Sequence, residues 1–285
     1  MAQKHSIESL EQIAETVRED IIKMLEHAGS GHSAGPLGLA DIVTALYFNV
    51  LKHDPKNPNW DERDIFLLSN GHCVPVQYAA MAEAGYFPKK ELLTLRKFGS
   101  RLQGHPERTK LPGLENTSGP LGSGLSQACG MALAMRMDKQ TSRYVYVVMG
   151  DGEQNEGNVW EAAMLASKYK LDNVIAITDR NNIQIDGFTE DVMPMENFKD
   201  KWEAFGWHVI EIDGNDIEAV IDACALGRAV HEKPVMIIAH TIPGKGVDFM
   251  ENDFHWHGMP PNHEQAKLAL HELRTLQGKI RGEHE

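Results

Sequence analysis

Cysteine is scarce in this sequence: Cys73, Cys129 and Cys224 form no CxxC pair and are odd in number, so neither a disulfide framework nor a cysteine zinc site is supported. Long apolar runs are missing as well. The longest lie near 145–149 and 235–239, far below the roughly 20 residues needed to span a bilayer. Positive charge is also short, with 28 Lys and Arg against 41 Asp and Glu, and no basic run interrupts the net charge of −13. Nucleic acid is therefore a poor partner, and no membrane association is expected. The opening stretch MAQKHSIESLEQIAETVRED is charged and amphipathic and has no apolar signal core, so a reducing cytoplasm is the expected location.

What is present is ordinary globular composition, 42% hydrophobic and 24% charged over 285 residues, enough for one large α/β domain. Ile7, Leu10, Ile13, Ala14, Val17, Ile21, Ile22 and Leu25 recur at helical spacing until AGSGHSAGP breaks the pattern. Further helices are expected over about 38–51 and 75–85, with the apolar run DIFLLS between them leading into NGH as a strand leads into a turn. Residues 98–124 have little periodicity and many turn formers, which in a compact domain points to a functional loop. From 125 the pattern alternates: helices at 125–138, 156–169, 196–205 and 216–230, strands at 143–149, 173–179, 207–212 and 235–241, and one more helix in the tail from 262. Helices alternating with apolar strands predict a three-layer α/β fold, a parallel sheet with helices on both faces. Ligands then gather at the carboxyl ends of the strands. The acidic run in 8–20 reads as a solvated helix face, and Met131, Met135 and Met164 read as core.

The strongest local signal is VVMGDG, a strand running into Gly150, Asp151 and Gly152, with the next strand ending in TDRNNIQIDG. Parallel neighbours would bring Asp151 near Asn181. A carboxylate, an amide oxygen and a main-chain carbonyl are hard oxygen ligands that leave room for phosphate oxygens and water around Mg²⁺. The flanking glycines let the backbone approach a phosphate closely. The plainer reading is a helix cap at Asp151 and a turn at Asn181 and Asn182. Other motifs fail: GPLGSG has the wrong glycine order for a dinucleotide loop, no Walker A sequence exists, and His255 and His257 lack a third zinc ligand at suitable spacing.

GDG, then 28 residues, then NN resembles the thiamine diphosphate-binding motif shared by transketolase, pyruvate dehydrogenase and their relatives. SGHSAGPLG at 30–38, LSNGH at 68–72, GHPE at 104–107, GPLGSGLSQACGMA at 119–132, GDGEQNEG at 150–157 and WHG at 256–258 follow the order of the transketolase family. The resemblance implies that Asp151, Asn181 and the carbonyl of Ile183 hold Mg²⁺, or Ca²⁺ or Mn²⁺ in its place. Gly152, His72 and His257 match positions on the diphosphate side of thiamine diphosphate, and Gly119 and Leu121 match the backbone facing its aminopyrimidine. His32, His105 and again His257 match histidines of the sugar channel, where an imidazole can donate from one nitrogen and accept at the other. Glu156 matches an acid at the subunit interface.

Residues 1–285 would thus be a single diphosphate-binding domain. In the family the activating glutamate, the aromatic clamp on the pyrimidine and the basic residues for the sugar phosphate lie in a second domain, and none can be placed here. The resemblance implies the N-terminal subunit of a split transketolase, inactive alone, that pairs with a C-terminal subunit carrying the pyrimidine-binding domain as a dimer of heterodimers. It would transfer a two-carbon ketol unit from a ketose phosphate to an aldose phosphate. SGHSAGP stands where SGHPGAP is more usual, and HTIPGKGVDFMENDFHWHG is closer to the shorter or animal-type version. These loops border the channel, which leaves open an unusual sugar, branched or sulfonated. A non-catalytic homologue and the α subunit of a 2-oxoacid dehydrogenase are the remaining alternatives.

Overall fold

The computed structural model describes residues 5–140 and 142–283, with side chains to residue 275. Five parallel strands, β1 (Ile65–Leu68), β2 (Val145–Gly150), β3 (Val174–Arg180), β6 (His208–Asp213) and β7 (Val235–His240), form one sheet in the order β1-β2-β3-β7-β6. A small antiparallel hairpin, β4 (Ile183–Gln184) and β5 (Gly187–Phe188), follows β3. β1, β2, β3 and β7 are largely apolar along both faces because each face meets its own core. Tyr146 and Val148 of β2 enter one core with Ile175 and Ile177 of β3, while Val145, Val147 and Met149 enter the other with Val174 and Ala176.

The first core is covered by α1 (Ile7–Ala28), α2 (Ala34–Gly38), α3 (Ala40–Ala45), α4 (Val74–Glu83) and α9 (Ile217–Ala229). The second lies under α5 (Gly124–Met137), α6 (Gly157–Lys168) and α8 (Phe198–Ala204). A short turn of helix, α7 (Thr189–Val192), follows the hairpin, and α10 (His263–Glu283) closes the chain, packing against α1. The three-layer α/β architecture is the expected one. Among the described residues no helix is long and apolar enough to cross a membrane, and all three cysteines are free and buried.

Several expectations change. The helix anticipated from about 38 begins at Ala34, because Pro36 sits in its first turn, where no N–H is needed. It ends in a wide turn over Leu46–Val50, with the Leu51 N–H donating to Leu46 O. β6 is a half-exposed edge strand rather than a fully buried one. Met135 is core, Met131 only partly so, and Met164 is 55% exposed, since it lies on the outer face of α6. The acidic run is not wholly solvated. Glu15 and Asp20 are buried, and Arg18, 1% exposed, bridges Glu15 Oε1 at 2.7 Å and Asp41 Oδ2 at 2.5 Å.

Candidate active site

β2 and β3 are in parallel register with Gly150 beside Asp179, so the two polar tips leave the sheet side by side. The Asn182 N–H donates to Asp151 Oδ2 at 2.8 Å and the Gly152 N–H to Asp151 Oδ1 at 2.7 Å. Asn182 adopts φ 62°, which turns the chain back into the β4–β5 hairpin. Asp151 is 1% exposed. Burial pushes its carboxyl upward, opposed by the Arg180 guanidinium 3.1 Å from Oδ2. Arg180 is gripped in turn by Glu190 at 2.7 Å and Glu196 at 2.8 Å.

Asn181 gives its NH2 to Asp179 Oδ2 at 2.8 Å, which fixes the opposite end of the amide as the oxygen; that Oδ1 accepts from the Ile183 N–H at 3.0 Å. Asp179 lies wholly inside, and desolvation, with some help from the charge on Asp151, raises it to about 7.

The histidines come from four separate segments. α1 ends on Gly29 in the left-handed conformation, φ 64°, and two residues later Gly31 passes so close to Leu25 that a Cβ would lie 2.5 Å from its Cδ2. That tight turn delivers His32. The loop after β7 reaches it through two ties, Gly244 N–H to Ala34 O at 2.8 Å and Ser33 Oγ to Met259 O at 2.5 Å, which set His257 opposite. Ring centroids then form a triangle: His32 to His72 4.8 Å, His72 to His257 5.2 Å and His32 to His257 5.6 Å. His105 stands at the rim beside Gly119. Burial, reinforced by the crowding of the other imidazoles and, at His32, by Arg96, lowers His32 to about 4 and His72 well below the usual histidine range; burial also lowers His105, with Arg96 adding to it, and His257. The cluster is neutral at pH 7.

Together these residues line one cavity of about 390 Å³: Asp151, Gly152, Asn181 and Ile183, Gly119 and Leu121, and the four histidines. Glu156 is outside it. It is exposed on the turn before α6, its stem pressed against Gly122. Sequence reasoning missed Asn70, Glu153, Gln184, Ile185 and Asp186, which also line the cavity, and Arg180 behind Asp151. Glu153 and Arg180 lie inside the motifs GDGEQNEG and TDRNN; their adjacency to the matched positions was the available signal.

The donor set suits a metal bound to a diphosphate. Among the described residues no three His, Cys, Asp or Glu side chains gather as a cluster for a metal ion. Asp151 Oδ1 holds a single hydrogen bond, so this carboxylate would be free to join the Asn181 amide oxygen and the Ile183 carbonyl in holding a divalent ion, with phosphate oxygens filling the rest of its shell. His32 Nδ1, His257 Nδ1 and Asn70 Oδ1 are buried with no hydrogen-bond partner among the described residues, as expected of groups awaiting a polar ligand. No Lys or Arg lines the cavity among the described residues, whereas Asp151, Glu153 and Asp186 do. An anionic ligand there requires a cation to accompany it.

Comparison with known proteins agrees with this geometry. Residues 9–275 match the family model described as transketolase, thiamine diphosphate binding domain. The chain is 43% identical over 264 residues to the 6-deoxy-6-sulfo-D-fructose transketolase subunit SqwG of Clostridium sp. (strain MSTE9), covering 93% of this chain and 96% of that one. It is 41% identical over 278 residues to one of the subunits of the apulose-4-phosphate transketolase of Phocaeicola vulgatus, covering 98% of each. Among solved structures, the transketolase of Pichia stipitis in complex with sedoheptulose-7-phosphate superposes with a TM-score of 0.89 at 34% identity. That match covers 96% of this chain but only 41% of the Pichia chain.

Proposed function

This chain belongs to the transketolase family as its thiamine diphosphate-binding domain, and from that premise we propose that it is the N-terminal subunit of a two-chain transketolase, with residues 1–285 forming one diphosphate-binding domain. The observation that carries the reading is the convergence of Asp151, Asn181 and Ile183 with His32, His72 and His257 on a single cavity. Asp151, Asn181 and the Ile183 carbonyl would hold Mg²⁺ against the diphosphate, with Gly152, His72 and His257 beside it and Gly119 and Leu121 facing the aminopyrimidine. When bound, thiamine diphosphate supplies the stabilised carbanion chemistry that side chains lack.

The chain's own part is binding and proton handling. Neutral imidazoles at His32, His105 and His257 donate to a developing oxyanion or accept from a sugar hydroxyl, as a polyol substrate requires. Closing the cavity against water is left to the partner chain, for which the word subunit in the names of SqwG and the apulose-4-phosphate enzyme is the support. Glu156, exposed and against the Gly122 loop, would face that assembly, a dimer of heterodimers in a cytoplasmic setting.

Two sugar classes compete. A ketose phosphate such as xylulose 5-phosphate, with ribose 5-phosphate as acceptor, is the family's general expectation. Of the two relatives above, one is named for a sulfonated fructose and the other for a sugar phosphate, apulose 4-phosphate, so the names fit both classes and the ketose phosphate remains the main reading. Reconstituting the chain with its partner and assaying a panel of ketoses separates them. Thiamine diphosphate uptake by the pair should depend on Mg²⁺, and Asp151→Ala should weaken it at least about tenfold. Uptake untouched by that substitution would sink the metal assignment, and full ketol transfer by this chain alone would sink the two-chain reading.

A further inference from the structure

Glu153 has no part in the scheme above, yet it is 3% exposed and accepts three hydrogen bonds. Ser69 Oγ and the Gly122 N–H, the latter at 2.8 Å, donate to Oε1, and the Gly150 N–H donates to Oε2 at 3.1 Å. Ser69 Oγ in turn accepts from the Gly124 N–H at 3.1 Å. One carboxylate thus fastens three segments: the end of β1, the loop entering α5 and the tip of β2.

These three segments carry the walls of the cavity. Asn70 and His72 follow Ser69, Gly119 and Leu121 precede Gly122, and Asp151 and Gly152 follow Gly150. Every group that reaches Glu153 is a donor, so an acceptor-only carboxylate suits the place and an amide does not. The segments also have no slack. A Cβ at Gly124 would collide with the Ser69 side chain, and one at Gly122 would lie 2.6 Å from the Glu156 Cβ.

We propose that Glu153 is a positioning residue that clamps the 119–124 loop and the 69–72 segment to the tip of β2, so that the cofactor cavity is formed before anything enters it. The proposal rests on reading the cavity as the thiamine diphosphate site, and the test keeps the two claims apart. Glu153→Gln preserves shape and Oε1 but turns an NH2 toward the Gly150 N–H. Hydrogen exchange on the free, full chain should show the amides of 69–72 and 119–124 exchanging about tenfold faster or more in this variant, with those of β7 and α9 unchanged. Ser69→Ala, which removes one donor and the relay to Gly124, should loosen 122–124 by a smaller factor.

In the reconstituted pair, thiamine diphosphate with Mg²⁺ should bind Glu153→Gln about tenfold more weakly. Local loosening without any coenzyme uptake by the wild type would defeat the cofactor reading and leave the clamp standing. Unchanged exchange at 119–124 in a folded Glu153→Gln chain, or acceleration spread evenly over the whole molecule, would overturn the clamp whatever binds.

Discussion

Replacing Arg18 with Met strikes the framework that presents His32. The guanidinium donates through Nη1 to Glu15 Oε1 at 2.7 Å, through Nη2 to Asp41 Oδ2 at 2.5 Å and through Nε to Leu37 O at 3.2 Å, linking α1, α2 and α3. Asp41 Oδ2 also accepts from Asn215 Nδ2 at 2.8 Å, and Asn215 Oδ1 accepts from the Ile242 N–H at 2.8 Å, so the same network reaches the loop that ends in His257. Methionine fills much of the volume but leaves Glu15 and Asp41 buried at 6% and 4% exposure without their cation. Breaking a buried pair in this way costs about 3–5 kcal/mol, a large share of the roughly 5–15 kcal/mol that holds a domain together.

The loss should depend on pH in a stated direction. Burial already raises the Glu15 carboxyl, with Arg18 opposing it; removing Arg18 raises it further. A folded-state value above the unfolded one means that the folded chain binds more protons, so the variant recovers stability as pH falls and loses it as pH rises. Urea unfolding followed by circular dichroism at pH 8 and pH 5.5, wild type beside variant at each pH, reads the difference directly and cancels the titrations that the two proteins share. The variant should be far less stable at pH 8 and closer to wild type at pH 5.5. A difference below about 1 kcal/mol at both values would refute the claim that this network is what holds the three helices in place.

Two further outcomes are expected. Because burial holds the His32 imidazole at about 4 and pushes His72 well below the usual histidine range, the unfolded chain binds more protons below its histidine value of about 6.5; the coenzyme-free chain should therefore lose stability as pH falls from 7 to 5, by at most about 1.4 kcal/mol per pH unit for each such histidine. His32→Gln should flatten that slope in thermal melts, and an unchanged slope would mean that His32 is already protonated in the fold. Gly38→Ala should destabilise although Ala favours helix by about 1 kcal/mol, because its Cβ would sit 2.8 Å from Ile242 O; a raised melting temperature would show that the 242–259 loop is not seated on α2 as described.

The sheet was legible because its strands are short apolar runs between helical periods, and parallel adjacency of consecutive strands follows from the crossover helices. That is also why Asp151 and Asn181, thirty positions apart, could be expected to sit together. Burial of acids was not legible. Glu15 and Arg18 are visible as neighbours on one helix, but whether that face is solvated depends on Asp41 and Asn215, which reach it from 23 residues beyond Arg18 and from the connection between β6 and α9. Met164 misled for a related reason: α6 has an apolar outer stripe, and periodicity alone does not say which stripe meets the sheet. The hairpin at Ile183–Phe188 was hidden because its strands are two residues each, joined through Ile185 and Asp186, which leaves no hydrophobic period to detect.

Charge decides how the site must be completed. The cavity is lined by three acids and by histidines held neutral, with no Lys or Arg among the described residues. A diphosphate entering such a space meets repulsion unless a divalent ion comes with it, which is the work expected of Asp151, Asn181 and Ile183. A second anionic group, the phosphate or sulfonate of a sugar, finds no Lys or Arg on these walls; Arg96, whose charge is felt at His32 and His105, stands outside them with Nη2 on Gly104 O. The imidazoles can order hydroxyls but, being neutral, offer that anion only dipoles. On the proposed reading, then, recognition of the sugar's charged end belongs to basic residues of the partner chain, while this chain reads the hydroxyls. Exchanging partners between two such enzymes should accordingly transfer the preference for phosphate or sulfonate with the partner; a preference that stays with this chain would assign that role to Arg96, the guanidinium near His32 and His105.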